Sequence, residues 1–517
     1  MTRVVADSYL HIGRASDIEN PHDRTIYRLL EIFPGCFTLV VFLLAFLFSW
    51  LFPVGISIFI IVFIVYWFVR LIYFSFHLQY SYRQMRRNEK IDWVKELEKL
   101  SPAWKDIFHL ILIPTYREPL DVLRGTLLSL KNAHYPKERM IVVLGIEERA
   151  GPEGRMVASL LQKEFENCFF RFHVAFHPAN IAGEIAGKAS NETWAVKEVK
   201  KEIIDALSIP YDRILVTSLD ADTIVYPEYF GRLTHVFLTT PDPLHCSFQP
   251  VPLFLNNIME VPAISRVFSF NSTFWHMMNQ SRPEKLITFS SHAMNFQALV
   301  DVGFKQTNVV SDDSRIFWQC YLYYNGNYQT IPLYYPISMD ANVAPRFLDT
   351  LKNIYKQQRR WAYGVADVPY FLFGFLKNKR ISLSKKISPG WEVFFGFWSW
   401  ATASILILFL GWLPLVLGGQ EFAQSLLSYN LPRLATGILR VGIVGLIGSV
   451  YLSILLFPIN VKQFGMPRIV FFVLQWLLLP FVMIFSSIPA IEAQIRLMFG
   501  KYLGFWSTPK FRKLLEV

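Results

Sequence analysis

Charge is missing from long stretches of this 517-residue chain, and cysteine is scarce throughout. Residues 32 to 69 hold no Asp, Glu, Lys or Arg, and neither do 393 to 420, 441 to 461 or 469 to 491. A helix crossing a bilayer needs about 20 apolar residues. The first run, interrupted at Trp50-Leu51-Phe52-Pro53-Val54-Gly55 and resuming past Arg70 to Phe76, is long enough for two. With the three later runs it predicts five spans. Uncharged runs of this length exclude ordinary buried core helices. A cleavable secretory signal fits badly, because 31 largely polar residues precede the first run and a second span follows at once. The four cysteines, Cys36, Cys168, Cys246 and Cys320, are scattered and form no CxxC, which argues against a zinc site and a disulfide framework. Internal repeats and low-complexity tracts are also absent.

What is present is apolar and aromatic: 53% hydrophobic residues, with 46 Phe, 23 Tyr and 14 Trp. That excludes a plain soluble domain and a disordered chain. The net charge of +11 is clustered at span ends, with Arg3, Arg14, Arg24 and Arg28 before the first run and Arg83, Arg86, Arg87 and Lys90 after the second. The positive-inside rule then places the N-terminus and the large middle region in the cytoplasm of a multi-pass cell-membrane protein, with membrane lipids as its surroundings. No nucleic-acid partner is expected, since the basic clusters flank spans and no binding motif accompanies them.

The chain divides into a cytoplasmic N-terminal segment (1–31), two spans (32–76), a basic linker (77–104), a soluble domain (105–365), an interfacial amphipathic segment (366–392), about three spans (393–491) and a cytoplasmic tail (492–517). The segment 366–392 reads equally well as the last helix of the soluble domain. Within that domain four β-branched or aromatic runs, Ile107 to Ile113, Met140 to Ile146, Phe170 to Phe176 and Arg213 to Leu219, alternate with helical stretches. Such alternation predicts an α/β fold with a mostly parallel, Rossmann-like sheet, whose ligands bind outside the carboxyl ends of the strands. Three spans after a cytoplasmic domain would leave the tail outside, yet it carries Arg496, Lys501, Lys510, Arg512 and Lys513. Pro480 and Pro489 make 469 to 491 the run expected to bend back.

The residues with chemistry follow the strands. Ser218-Leu219-Asp220-Ala221-Asp222 succeeds the fourth, and residues i and i+2 of an extended backbone point the same way. Asp220 and Asp222 can therefore share a hard cation, Mg²⁺ or Mn²⁺, that keeps open positions for phosphate oxygens. Alone, D-x-D is common in solvated loops; its place at a strand end raises it. Val310-Ser311-Asp312-Asp313 offers paired carboxylates, suited to deprotonating a sugar hydroxyl or to capping a helix. Gln357-Gln358-Arg359-Arg360-Trp361 reads Q-x-x-R-W, a guanidinium for a diphosphate and an indole for a sugar face, or an Arg/Trp pair at a membrane surface. Gly183 to Ser190 imitates a P-loop but lacks its first Gly and the Ser or Thr after Lys188.

In this order and at these spacings the three motifs resemble the membrane-integrated family-2 glycosyltransferases, which include cellulose, chitin and hyaluronan synthases. Ile113-Pro114-Thr115-Tyr116-Arg117-Glu118-Pro119 is similar to the family's opening strand and turn, Gly187-Lys188-Ala189-Ser190-Asn191 to its Gly-Lys-Ala segment, Phe248-Gln249-Pro250 to its acceptor-channel segment, and Phe505-Trp506-Ser507-Thr508-Pro509-Lys510 to the F-x-V-T-x-K gating loop, with Ser507 for Val. The resemblance implies a cytoplasmic GT-A domain inserted between transmembrane helices. It implies that Thr115, Tyr116, Glu118, Glu147, Lys188, Asp220, Gln357, Arg360 and Trp361 hold the nucleotide sugar. By the same analogy Asp220 and Asp222 hold the metal, and Asp313 is the base, or Asp312 if the register shifts by one. His292, Phe505, Thr508 and Lys510 would meet the acceptor or gate the site, although a buried histidine with a backbone partner is an equal reading of His292. Glu147 stands near the place where the family carries an Asp for uracil, and Ser311-Asp312-Asp313 replaces T-E-D. The implied activity is inverting transfer from UDP-glucose or UDP-GlcNAc to a growing polysaccharide with coupled export. The alternatives are single-sugar transfer to a lipid or lipid-linked acceptor, and a transporter or scaffold with an inactive domain.

Overall fold

The computed structural model describes residues 8–100, 102–457 and 465–511. Arg3, Arg512, Lys513 and the end of the 441–461 run therefore lie outside the described residues. Two apolar helices come first, α1 (Pro21–Leu51) and α2 (Pro53–Asn88), folded back on each other at Phe52. The Asn20 side chain accepts from the His22 and Asp23 amides, and Pro21 and Pro53 begin their helices where no intrahelical donor is lost.

An eight-stranded sheet follows, in the order β3-β2-β1-β4-β7-β6-β8-β5. Strands β1 (Phe108–Thr115), β2 (Met140–Glu147), β3 (Arg171–His177) and β4 (Ile214–Ser218) are mutually parallel, each within two residues of its expected bounds. Along β1, Ile111 and Ile113 enter one core while Leu110 and Leu112 enter the other. Both faces of β1, β2 and β4 are covered, so these strands are mostly apolar, whereas the edge strand β3 is partly exposed. The other half, β5 (Ile224–Val225), β6 (Cys246–Leu253), β7 (Ala293–Asn295) and β8 (Gln329–Ser338), is antiparallel where β7 meets β4 and β6 and where β5 meets β8. Thr115, Glu147 and Ser218 thus end three parallel neighbours on one edge.

Among the helices of this domain are α3 (Lys188–Val199), α4 (Ala263–Gln280), α5 (Asp312–Tyr323), α6 (Phe347–Ala362) and α7 (Asp367–Lys377). The segment read as interfacial divides in two. Its first part, α7, is buried: Phe371 stacks 4.4 Å from Trp318 of α5, and Phe373 lies 5.4 Å from Tyr27 of α1. Its second part opens α8 (Leu383–Ile405). After two short helices, Leu413–Leu417 and Gly419–Ala423, come α9 (Leu426–Leu456), α10 (Arg468–Trp476) and α11 (Leu479–Met498).

Among the described residues four helical stretches are long and apolar enough to cross a membrane: Pro21–Leu51, Pro53–Asn88, Leu383–Phe409 and Arg468–Met498. Their ends fix how they run. The loop after α8 reaches the α1–α2 turn, where Gly418 packs on Pro53 so closely that a Cβ would sit 2.8 Å from it. Helix α9 then returns, since the Leu455 carbonyl near its end accepts from Arg86 at 2.8 Å. Arg468 donates to the Ile454 and Phe457 carbonyls at 2.7 Å, and Arg28 donates to the Leu497 carbonyl at 3.0 Å. The run 468–498 therefore begins and ends at the domain end of the helices. It is interrupted at Leu477–Leu478 and packs along α4 and α6, with Trp476 stacked 5.5 Å from Phe274 and Phe485 6.1 Å from Tyr355.

Candidate active site

The carboxyl ends of β1 and β2 form one wall of the site. Glu118 curls back under the turn after β1, accepting from the Thr115 hydroxyl at 2.6 Å and the Tyr116 amide at 2.7 Å. That clamp exposes the Tyr116 ring between two guanidiniums, Arg117 at 4.9 Å and Arg149 at 4.8 Å from its centroid. Glu147 is buried at the end of β2 and accepts from Arg149 Nε at 2.7 Å, so its carboxylate is already partnered. Asn191 of α3 donates to the Gly145 carbonyl at 2.9 Å and the Thr115 carbonyl at 3.3 Å. Gly145 is required there, because a Cβ would lie 2.2 Å from the Asn191 oxygen.

The centre is a carboxylate–lysine lattice. Lys188, the first residue of α3, donates to Asp220 Oδ1 at 2.7 Å and to both Asp313 oxygens at 3.1 and 3.2 Å. Asp220 also accepts from the Ser290 hydroxyl at 2.7 Å. Lys305 lies behind, 2.6 Å from Glu192, 3.7 Å from Asp313 and 3.9 Å from Asp312. Burial opposes charge on both lysines, but the acids outweigh it, Asp220 and Asp313 for Lys188 and Glu192 first for Lys305, so both hold their protons more firmly than usual. Burial also works against Asp313, yet Lys188 and Lys305 keep it below the usual carboxylate range. Its neighbour behaves oppositely: burial first, then the Asp313 charge, push Asp312 up to about 7. The Asp313 side chain is 24% exposed and Asp312 only 3%, so Asp313 is the acid that faces the open side. His292 is buried, donates from Nδ1 to the Phe289 carbonyl at 2.8 Å and lies 3.7 Å from Asp313; burial and then Lys305 push it down to about 3, favouring the neutral ring.

Asp222 is fully buried, and only its Oδ2 is matched, by Lys510 at 2.5 Å and the Asp340 amide at 2.9 Å. Its Oδ1 has no hydrogen-bond partner. A buried carboxylate oxygen left over beside Asp220 suits a divalent cation, and the Lys510 ammonium supplies positive charge at the same carboxylate. The tail that brings Lys510 runs across the site. Phe505 packs on Gly187 so closely that a Cβ there would lie 2.5 Å away, and Arg360 lies 4.9 Å from its ring centroid. Trp506 receives Lys356 at 5.3 Å. Thr508 is buried, with its hydroxyl unmatched. On α6, Gln357 accepts from Asn342 at 3.4 Å and Trp361 is half-buried, while Arg359 pairs with Glu492 of α11 at 2.8 Å.

The structure thus brings Lys188, Asp220, Asp313 and His292 into one cluster and puts Asp222 and Lys510 in contact. Arg360 meets the tail through Phe505, and Thr115, Tyr116, Glu118 and Glu147 share one wall. Asp312 faces away, towards Lys305. Sequence reasoning missed Lys305, Glu192, Ser290 and Asp340. Each is tied to the cluster across 26 to 118 residues of chain, and none stands in a spaced motif.

Neither a family model nor a curated protein matches this chain. Among solved structures it is similar to the mannosyltransferase PcManGT from Pyrobaculum calidifontis in complex with GDP-Man and Mn²⁺, at 13% identity and TM-score 0.43, over 84% of this chain and 99% of that one. It is also similar to residues 1–349 of S. aureus TarS in complex with UDP-GlcNAc, at 13% identity and TM-score 0.30, over 64% of this chain and 90% of that one.

Proposed function

We propose that this protein is an inverting membrane glycosyltransferase that moves a sugar from a metal-bound nucleotide sugar to a hydroxyl of a growing glycan. The observation that carries this reading is Lys188 bridging Asp220 and Asp313 beside an unmatched Asp222 oxygen. It would join a cation site, a base and a positive charge at the carboxyl edge of a parallel sheet. A divalent ion bound at Asp220 and Asp222 would neutralise charge on the leaving diphosphate. Lys188 and Arg360 then engage the phosphates, and Asp313 takes the acceptor proton. The acceptor oxygen bonds to C1 of the donor sugar as the C1–O bond to the diphosphate breaks, its electron pair leaving with the nucleoside diphosphate. Donor binding also prepares the base. While Lys188 bonds both Asp313 oxygens the carboxylate is weakly basic, and a diphosphate drawing that ammonium away raises its basicity where the proton must go.

The helices support a membrane setting. α1, α2, α8 and α9 run between the domain end and the α1–α2 turn, while 468–498 leaves from and returns to the domain end. This supports α1, α2, α8 and α9 as four crossings with the tail on the same side as the domain, which would reconcile its basic charge with the positive-inside rule. The tail against Arg360 and Asp222 supports polymer extension with a gated site; single-sugar transfer remains the competing product. The deciding experiment is nucleotide release by the purified protein from UDP-glucose, UDP-GlcNAc, UDP-galactose and GDP-mannose with Mg²⁺ or Mn²⁺, followed by product sizing. Release that needs metal and is lost in Asp222→Ala supports the reading, and a one-sugar product would replace the polymer. No release from any donor would overturn it.

A further inference from the structure

The domain side of the α2–α8 seam carries a cluster of cations that sugar transfer at Asp313 does not use. The apolar part of α2 from Pro53 to Val69 is uncharged, and at 1.5 Å per residue it spans about 25 Å, close to a bilayer's hydrocarbon. Arg70 is the first charge beyond it, where the phosphates of a bilayer spanned by this stretch would lie. Its guanidinium lies 5.0 Å from the Phe74 ring and 4.9 Å from that of Phe395 on α8. The domain meets the same place. Arg282 reaches 5.9 Å from the Phe74 ring, so one aromatic ring has two guanidiniums beside it. Arg282 is buried and its Nε has no hydrogen-bond partner. Lys285 stands beside it, and the shared acid is Glu392 of α8, bonded to Lys285 and 3.5 Å from Arg282. Glu284 is the other nearby acid, facing His77, which bonds the Ser281 hydroxyl at 2.7 Å. Three cations against two acids leave a positive balance. Around them Tyr73, Phe76 and Trp391 are 45%, 69% and 56% exposed, the amphipathic and apolar rings of a membrane interface.

The cluster is joined to the catalytic carboxylates by one short stretch. Ser281 and Arg282 touch α2, the Thr288 hydroxyl donates to the Asp313 carbonyl at 2.6 Å, and Ser290 donates to Asp220. Thr288 is six positions after Arg282, at most about 20 Å of extended chain.

We infer that this seam holds the phosphate of a membrane-embedded acceptor, a long-chain lipid phosphate whose attached glycan extends along 283–289 to Asp313. The inference rests on the sugar-transfer reading for the role of the bound lipid, though not for its binding. Arg282 offers an unused N–H at the depth where a lipid phosphate lies, and a glycan between phosphate and nucleophile fills the distance to the base.

The test uses the full chain in phosphatidylcholine vesicles containing a polyprenyl phosphate, with the neutral polyprenol as control. Lipid binding is read by native mass spectrometry, and sugar transfer into the lipid phase is read separately. The expected result is at least about tenfold weaker binding of the phosphate lipid in Arg282→Gln and in the more exposed Lys285→Gln, with donor binding unchanged. Equal binding of polyprenyl phosphate and polyprenol, or of wild type and both variants, overturns the inference while leaving donor turnover intact. Preference for bulk anionic phospholipid over polyprenyl phosphate also overturns it. Selective lipid binding without turnover of any donor would instead defeat the enzymatic reading and leave the site standing.

Discussion

Asp312 and Asp313 are adjacent in sequence and opposite in environment, which supports Asp313 as the proposed base. Asp313 faces the open side, paired with Lys188, whereas Asp312 is enclosed and pushed up to about 7 by burial and the Asp313 charge. Asp313→Asn should lower kcat by about 10² to 10⁴, with the KM for donor little changed. Burial and the Asp313 charge favour the neutral form of Asp312, and an amide replaces a neutral acid with little change of shape or charge. Asp312→Asn should therefore keep activity within about threefold at pH 6, as read by nucleotide release on both variants. A reversed ranking would move the base to Asp312. The members of the cluster that could be found from sequence, Asp220, Asp222, Asp313 and Lys188, all stand in short motifs placed after strands or at a helix start. Lys305 and Ser290 stand in none, and only folding brings them within reach of acids far away in the chain. Glu147 was legible by position, but its prior engagement by Arg149 was not.

At the scale of elements, the parallel half of the sheet was readable because three of its strands are covered on both faces and mostly apolar, and the fourth, at the edge, is rich in aromatic and β-branched residues. The other half was not. β5 and β7 are two and three residues long, and β6 and β8 contain Pro250, Pro252, Pro332 and Pro336, residues that argue against interior strands. The same buried sheet carries a titration. His109 of β1 is fully buried, its Nε2 2.9 Å from the Thr234 hydroxyl, and burial alone pushes it down to about 3. A histidine depressed in the folded state contributes stability above its unfolded pKa of about 6.5, and that stability is lost as pH falls towards 3. Each pH unit below about 6.5 should then cost about 1.4 kcal/mol through this group. Thermal midpoints of the detergent-solubilised protein should fall from pH 7 to pH 5, and His109→Asn should flatten that dependence even if it lowers the midpoint at pH 7. An unchanged slope in the variant would assign the acid sensitivity elsewhere.

For the molecule as a whole, the unresolved matter in the sequence was parity: five apolar runs would separate the tail from the domain it contacts. Hydropathy alone does not detect a run that enters and leaves at the same end. The hydrogen bonds at its two ends do, with Arg468 on the Ile454 and Phe457 carbonyls and Arg28 on the Leu497 carbonyl. The tail is then held to the first helix by buried polar groups. Glu31 of α1 accepts from the Tyr502 hydroxyl at 2.8 Å and from Arg28 at 2.6 Å, before the chain continues to Phe505 and Lys510. A tail outside the membrane would have to break these bonds and expose a buried carboxylate without partners, a penalty of several kcal/mol. Single cysteines in a background with Cys36, Cys168, Cys246 and Cys320 replaced by Ser test this in intact cells with a membrane-impermeant maleimide. Gln420→Cys, in the loop at the α1–α2 turn, should label from outside, and Lys501→Cys should label only after the membrane is opened. Labelling of Lys501→Cys in sealed cells would mean that 468–498 crosses the bilayer. Lys510 would then be carried away from Asp222, and the tail could take no part in the site.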